Sequence, residues 1–239
     1  MLRAIAGGEE EERQDRCRQD RRLPALRSCR FLVDATGRTA VVARRMGARR
    51  LTLDRTVAVM RAYELPSGKA APDSFTLVET SPNGWWYSGL LPSGQLAALY
   101  FTYPEFRREV ELPPHTRARL QDSGCLARPR LLCASSSVLD RAAGPDWLAV
   151  GDAASTWDPL SSQGILKALR SSAMTVDAIA TYLAGDASAI SGYAAYTRAG
   201  FARYLEVPHH YYNREQRGPE SSFWQRRHCL PTVESSKPD

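Results

Sequence analysis

The stretch LAVGDAASTWDPLSSQGILKAL (148–169) constrains this chain more than any other. A short apolar run meets Gly151 and Asp152, a Pro-bearing loop follows, and from Gly164 the pattern turns helical. A strand ending in Gly-Asp lets a ligand approach the backbone closely at Gly151. It also offers the Asp152 carboxylate to a ligand hydroxyl, such as one on a ribose or ribityl chain. Pro159 shapes the loop. The amides around Ser162, Gln163 and Gly164 fall at a predicted helix N-terminus, where unpaired N–H groups and the helix dipole favour negative charge.

The flanking sequence places this unit in a mixed α/β (α+β) chain. In RFLVDATGRTA (30–40), a buried-strand run Phe31–Val33 ends in a small-residue turn at Asp34–Gly37, which suits a strand with a ligand at its carboxyl end. Residues 51–134 read as antiparallel sheet. Strand-like segments at 55–65, 74–80, 85–91 and 95–102 are punctuated by the turns SPNG and PSG. DWLAVGD (146–152) is another short strand. Ile165, Leu169, Ala173, Val176, Ile179 and Leu183 then recur at helical spacing, and Gly185 is placed to end that helix. A second helix is expected from about Ala189 to Glu206, stopped by Pro208, with His209 and His210 just past its end.

Five domains or segments follow from this reading: a charged, poorly integrated start (1–29), a strand and turn (30–50), the sheet (51–134), a strand, Gly-Asp motif and helix (135–187), and a helical region with an aromatic, basic tail (188–239).

Composition removes several alternatives. With 239 residues, 43% apolar and 24% charged, the chain can build a sizeable core. It has no run of ~20 apolar residues to span a bilayer and no apolar segment resembling a leader, so no membrane partner and a cytoplasmic location are expected. The net charge of +6 invites a nucleic-acid reading, but the arginines are scattered and no nucleic-acid module is visible, so none is expected. Five cysteines without a CxxC pair and four unclustered histidines read as reduced thiols and no metal site.

A reduced flavin carries negative charge along its pyrimidine edge, so the helix N-terminus at 162–164 suits one. VGDAASTWDPLSSQGI resembles the third FAD motif of the p-hydroxybenzoate hydroxylase-like flavoproteins, and its DPLSSQG is most similar to the halogenase and monooxygenase branch. FLVDATGR resembles the middle motif of that superfamily. The likeness extends over roughly 30–228 and implies part of an FAD-binding, Rossmann-like domain with an inserted antiparallel substrate domain and C-terminal helices. It implies FAD as cofactor, with Asp152 on the ribityl chain, Pro159 beside the flavin ring and the Ser162–Gly164 backbone at its pyrimidine end. Asp34, Thr36 and Gly37 would lie near the nucleotide.

No GxGxxG occurs in the chain, and Gly7-Gly8 is followed by four glutamates rather than by a strand, turn and helix. The expectation is the C-terminal portion of a longer flavoprotein, truncated or read in a shifted frame.

Halogenases of this branch carry WxWxIP. The nearest match, GWWYSGLLP (84–92), keeps Trp85 and Tyr87 but its proline, Pro92, stands two residues too far on. The resemblance therefore implies a monooxygenase-type oxidoreductase acting on a small aromatic molecule or a peptide-borne aromatic residue, with a flavin or NAD(P)H reductant supply. Trp85 and Tyr87 are expected on one strand face, lining a substrate pocket or packing the sheet. No catalytic residue is assigned. A non-catalytic remnant or interaction module, a halogenase and an isoprenoid reductase relative stay open.

Overall fold

Alternation along four strands builds the centre of the molecule. β1 (Leu32–Asp34), a short helix α1 (Val41–Arg45) and β2 (Arg50–Thr52) precede it; then come β3 (Val57–Glu64), β4 (Leu77–Ser81), β5 (Gly84–Leu90) and β6 (Leu96–Thr102). In the order β4-β5-β6-β3 these last four pair antiparallel, at the positions the sequence predicts. Behind α2 (Pro114–Leu120), β7 (Gly124–Cys125) and β8 (Arg130–Cys133) both pair with β3, completing a six-stranded sheet. The computed structural model describes residues 29–66, 75–218 and 220–229. The described residues from 33 onward form one compact unit. The charged segment expected over 1–29 lies outside the described residues except for Cys29, as does Ser74 of the second predicted strand.

Both faces of β5 and β6 are largely buried, and the two-residue period decides which side chain serves which face. Ala58, Phe101 and Trp85 are cross-strand neighbours on one face, packed with Tyr212, Phe223 and Trp224. Trp86, Tyr100 and Leu96 point the other way, onto Leu120 of α2. Trp85 stacks on Phe101 at 4.0 Å and Trp86 on Tyr100 at 5.0 Å. Gly84 permits this pairing: a Cβ there would stand 2.2 Å from the Phe101 carbonyl oxygen.

Two three-stranded sheets carry the remainder. β9 (Ser137–Leu139) pairs with β2 and with β12 (Ser155–Thr156); β11 (Trp147–Ala149) lies between β1 and β10 (Ala143–Gly144). Their shared core is rich in alanine, including Ala40, Ala43, Ala149, Ala153 and Ala154 around Trp147. Such small side chains bring the β1 and β11 ends close together.

Helix α3 (Gly164–Leu183) ends before Gly185 at φ +110°, as expected. Its orientation reverses the simple reading of its periodicity. Ile165, Leu169 and Val176 of the apolar stripe are 81%, 65% and 66% exposed, while Lys167, Ser171, Thr175 and Ala178 turn inward. The neighbours of that inner face are polar: the Gly151 amide donates to Ser171 Oγ at 3.1 Å, and Lys167 reaches two acceptors below the helix.

Helix α4 (Ser188–Arg214) also departs from expectation, because it runs through Pro208 instead of stopping there, so His209 and His210 lie within it. A proline inside a helix costs about 3 kcal/mol. The last turn recovers this by burying Tyr212, whose hydroxyl is bonded to Asp158, Trp85 and Arg227. α5 (Ser222–His228), capped by Ser221 Oγ, then lays Phe223, Trp224 and Arg227 against the sheet.

Candidate functional site

The Gly-Asp turn is built where β11 ends. Gly151 has φ +59°, a conformation that L side chains rarely adopt, and this bends the chain so that Asp152 leaves the strand sideways. Asp152 Oδ1 accepts from Lys167 Nζ at 2.7 Å, and Oδ2 lies 3.8 Å from Arg38 Nε. The carboxylate is 40% exposed, while the lysine side chain is 8% exposed. Burial pulls the Lys167 ammonium below its ordinary pKa, and the hydrogen bond it donates to Asp152 opposes that pull.

Arg38 also donates to the Ser135 carbonyl at 2.9 Å, and Arg50 donates to the Ala153 carbonyl at 2.7 Å and to Ser137 Oγ at 2.8 Å. Burial lowers the Arg50 pKa, and the nearby Arg38 charge adds to that shift. Three cations thus surround one carboxylate, which favours an anionic ligand.

The two expected motifs meet here. The Val150 amide donates to the Asp34 carbonyl at 2.9 Å, and Arg38, next to Gly37, faces Asp152. Asp34 itself is spent on the backbone. Its Oδ1 accepts from the Thr36 amide and hydroxyl at 2.9 and 2.6 Å, and its Oδ2 accepts from the Ala43 amide at 2.7 Å. Burial would raise its pKa, but these bonds outweigh burial and hold it low. Thr36 Oγ1 in turn accepts from the Val41 amide, starting α1. Gly37, at φ +67°, has open space where a Cβ would stand.

On the other side of Asp152 the chain passes through Pro159 into Ser162, at φ +53°, and then Gln163 and Gly164. Among the described residues no side chain caps the N-terminus of α3. A 20-residue helix therefore presents its first N–H groups uncapped beside the Asp152 turn.

Asp158 fixes that loop. It is buried; its Oδ1 accepts from the Leu160 amide at 2.9 Å, its amide donates to the Tyr204 hydroxyl, and its Oδ2 accepts from Tyr212 and Arg227. Burial pushes the Asp158 carboxyl upward against the pull of Arg227, and Tyr212 is raised by the same burial. Trp85 Nε1 donates to the Tyr212 hydroxyl at 3.1 Å. Trp85 is thus packed in the core cluster, against which Tyr87 and Leu160 of the loop also pack.

Sequence reasoning did not single out Arg38, Arg50, Lys167, Asp158, Tyr212 or Arg227. Lys167 had a readable signal, as a lone charge in the apolar run GILKAL. Arg227 had none, because its partner Asp158 stands 69 residues away. Among the described residues no group of three His, Cys, Asp or Glu could hold a metal ion, and no helix is long and apolar enough to cross a membrane. Cys29, Cys125, Cys133 and Cys229 are free thiols.

No family model matches the sequence. A Marinomonas mediterranea protein named as the FAD-dependent oxidoreductase LodB is 27% identical over 219 residues, covering 86% of this chain and 58% of its own length. Among solved structures, the myxobacterial chondrochloren halogenase CndH superposes with a TM-score of 0.72 at 21% identity, over 87% of this chain and 52% of that one. CmlS, a flavin-dependent halogenase, gives 0.70 at 18% identity over 86% and 41%. The peptidyl tryptophan dihydroxylase QhpG gives 0.60 at 24% over 77% and 45%. The fold is that of the flavin-dependent halogenases, and the chain spans about half the length of the proteins it matches.

Proposed function

We propose that this chain contributes the flavin-ring and ribityl half of an FAD site in an oxidoreductase of monooxygenase type. The observation that carries the proposal is the uncapped N-terminus of α3 lying beside the Asp152 turn. The residues present fit that half of the cofactor. Asp152 keeps an exposed carboxylate oxygen for a hydroxyl, Arg38 and Arg50 supply positive charge beside it, and the Ser162–Gly164 backbone offers donors to an electron-rich ring edge. A pyrophosphate-cradling glycine turn is absent from the sequence, so the nucleotide end is not assigned to these residues. Bound flavin would supply the redox chemistry. The protein's part is to hold the ring at the α3 start and to fix Asp152 through Lys167.

The substrate in this reading is a small aromatic molecule or a peptide-borne aromatic residue, with flavin or NAD(P)H as reductant supply. Similarity to QhpG, a peptidyl tryptophan dihydroxylase, supports it, as does the displaced proline in GWWYSGLLP. Titrating FAD into the purified chain should quench flavin fluorescence, and Asp152→Ala should weaken binding about tenfold, the value of a good polar contact. A chain that leaves FAD fluorescence unchanged at ~100 μM cofactor removes the reading.

The exposed stripe of α3 favours a second reading, in which the chain is an interaction module. Ile165, Leu169 and Val176 form an apolar face suited to another polypeptide. A chain that binds no FAD but associates through that face would support this reading over the first.

A further inference from the structure

Helices α3 and α4 pack side by side, and along the first turns of α3 they do not close. Gln163, Leu166, Lys167, Arg170 and Ser171 form one face of α3, at intervals of three and four residues; opposite them stand Tyr196, Thr197, Gly200, Arg203 and Tyr204 of α4. Facing stripes in a packed helix pair are normally apolar and interdigitated, leaving few voids larger than a water. These stripes are largely polar and basic, and the small side chains of Ser171 and Gly200 leave the space between the helices unfilled. A cleft of about 370 Å³ results, within the range of small-molecule sites.

The lining has a definite chemistry. Lys167, Arg170 and Arg203 bring three cations to it, and no carboxylate lies among its lining residues. Lys167 is paired with Asp152 beneath the cleft, whereas both arginines are exposed at its mouth. The remaining wall is aromatic. Trp157 stacks on Tyr204 with centroids 4.7 Å apart, and the Lys167 ammonium lies 5.7 Å from the Trp157 ring centroid. Tyr196 and Leu166 close the sides.

We infer that the cleft between α3 and α4 binds an aromatic carboxylate, with the ring against Tyr196, Leu166 and the Trp157–Tyr204 stack and the carboxylate between Arg170 and Arg203. A guanidinium meets a carboxylate with two parallel hydrogen bonds, which an amide of the same shape cannot reproduce. The cleft borders the flavin loop at Gly151 and Gln163, but the inference does not rest on flavin binding.

Equilibrium dialysis of the 239-residue chain against naphthoate, naphthamide and cyclohexanecarboxylate tests it. Naphthoate should bind one per chain, with the amide and the non-aromatic acid each at least ~10-fold weaker. Arg170→Gln and Arg203→Gln should each weaken naphthoate ~10-fold; both residues are exposed, so the variants keep the fold, and Arg128→Gln should change nothing. Equal binding of acid and amide overturns the inference, and so does naphthoate binding that both arginine variants leave unchanged. Competitive displacement of naphthoate by FAD, with both arginine variants weakening FAD equally, would give the cleft to the flavin and also overturn it. Naphthoate binding by a chain that ignores FAD supports the cleft while removing the flavin reading.

Discussion

Glu215 shows how one side chain at a helix end can set the acid stability of a whole face. It follows α4, its carboxylate is buried, and it accepts from the Arg217 amide and Nε, both at 2.9 Å. Arg217 Nη2 reaches on to Thr80 Oγ1 at 2.6 Å, tying the helix end to β4. The hydrogen bonds from Arg217 hold the carboxyl at about 2, well below its ordinary value. Because the folded pKa is depressed, the stabilisation is fully present above the unfolded value of ~4.3 and disappears as pH falls towards 2. Arg217 is largely exposed, so screening reduces the contribution to roughly 1 kcal/mol. Urea midpoints measured at pH 7 and pH 3 should therefore converge in Glu215→Gln more than in the wild type. An unchanged pH dependence in the variant would show that Glu215 contributes nothing.

Asp152 and Asp34 mark how far single residues were legible. Both were singled out as acidic residues at strand ends, and the structure brings their turns together. Their surroundings differ in a way that sequence could not show. Asp34 has both oxygens filled by backbone and Thr36 donors, whereas Asp152 has one oxygen on Lys167 and an exposed remainder. The difference comes from Lys167, which only the packing of α3 against the turn brings within reach.

At the scale of elements, α3 carries the clearest lesson. Periodicity located the helix and Gly185 its end, but it could not say which face is covered, because that depends on what lies beside the helix. Within this chain the partners of α3 are the Gly151 turn and α4, and they take the polar face. Ile165→Glu and Val176→Glu should therefore leave the unfolding free energy within about 0.5 kcal/mol of wild type, as for surface substitutions. Ala178→Glu, on the buried face, should cost several kcal/mol by placing an unpaired carboxylate in the core. Comparable destabilisation from all three would mean that the exposed stripe is covered. The end of α4 was misjudged for a related reason: Pro208 is a local stop signal, and the anchoring of Tyr212 is a long-range term that overrides it.

Across the whole molecule, Arg227 links parts that no local pattern connects. Its guanidinium is fully buried; it donates to Asp158 and Tyr212, lies 3.5 Å from Asp54, and sits 4.4 Å from the Tyr212 ring centroid. Asp158 holds the loop entering α3, Asp54 accepts from the Thr56 and Ser136 amides where the chain enters and leaves the large sheet, and Tyr212 ends α4. Burial works against its charge, but Tyr212, Asp158 and Asp54 outweigh burial and hold its pKa high, even though its Nε and Nη1 find no hydrogen-bond partner among the described residues. A buried pair of this kind adds little net stability over an apolar substitute, yet removing one member strands the other charges at a cost of about 3–5 kcal/mol. Arg227→Met should lower stability by that amount. Because the network spans the sheet and the loop, near-UV circular dichroism from the buried tryptophans and amide exchange at 158–164 should then report a single coincident transition. Loosening of the loop alone, with the tryptophan signal and its midpoint unchanged, would show that Arg227 braces the α3 entrance and not the molecule. In that case Asp158→Asn should reproduce the effect, and Asp54→Asn should not.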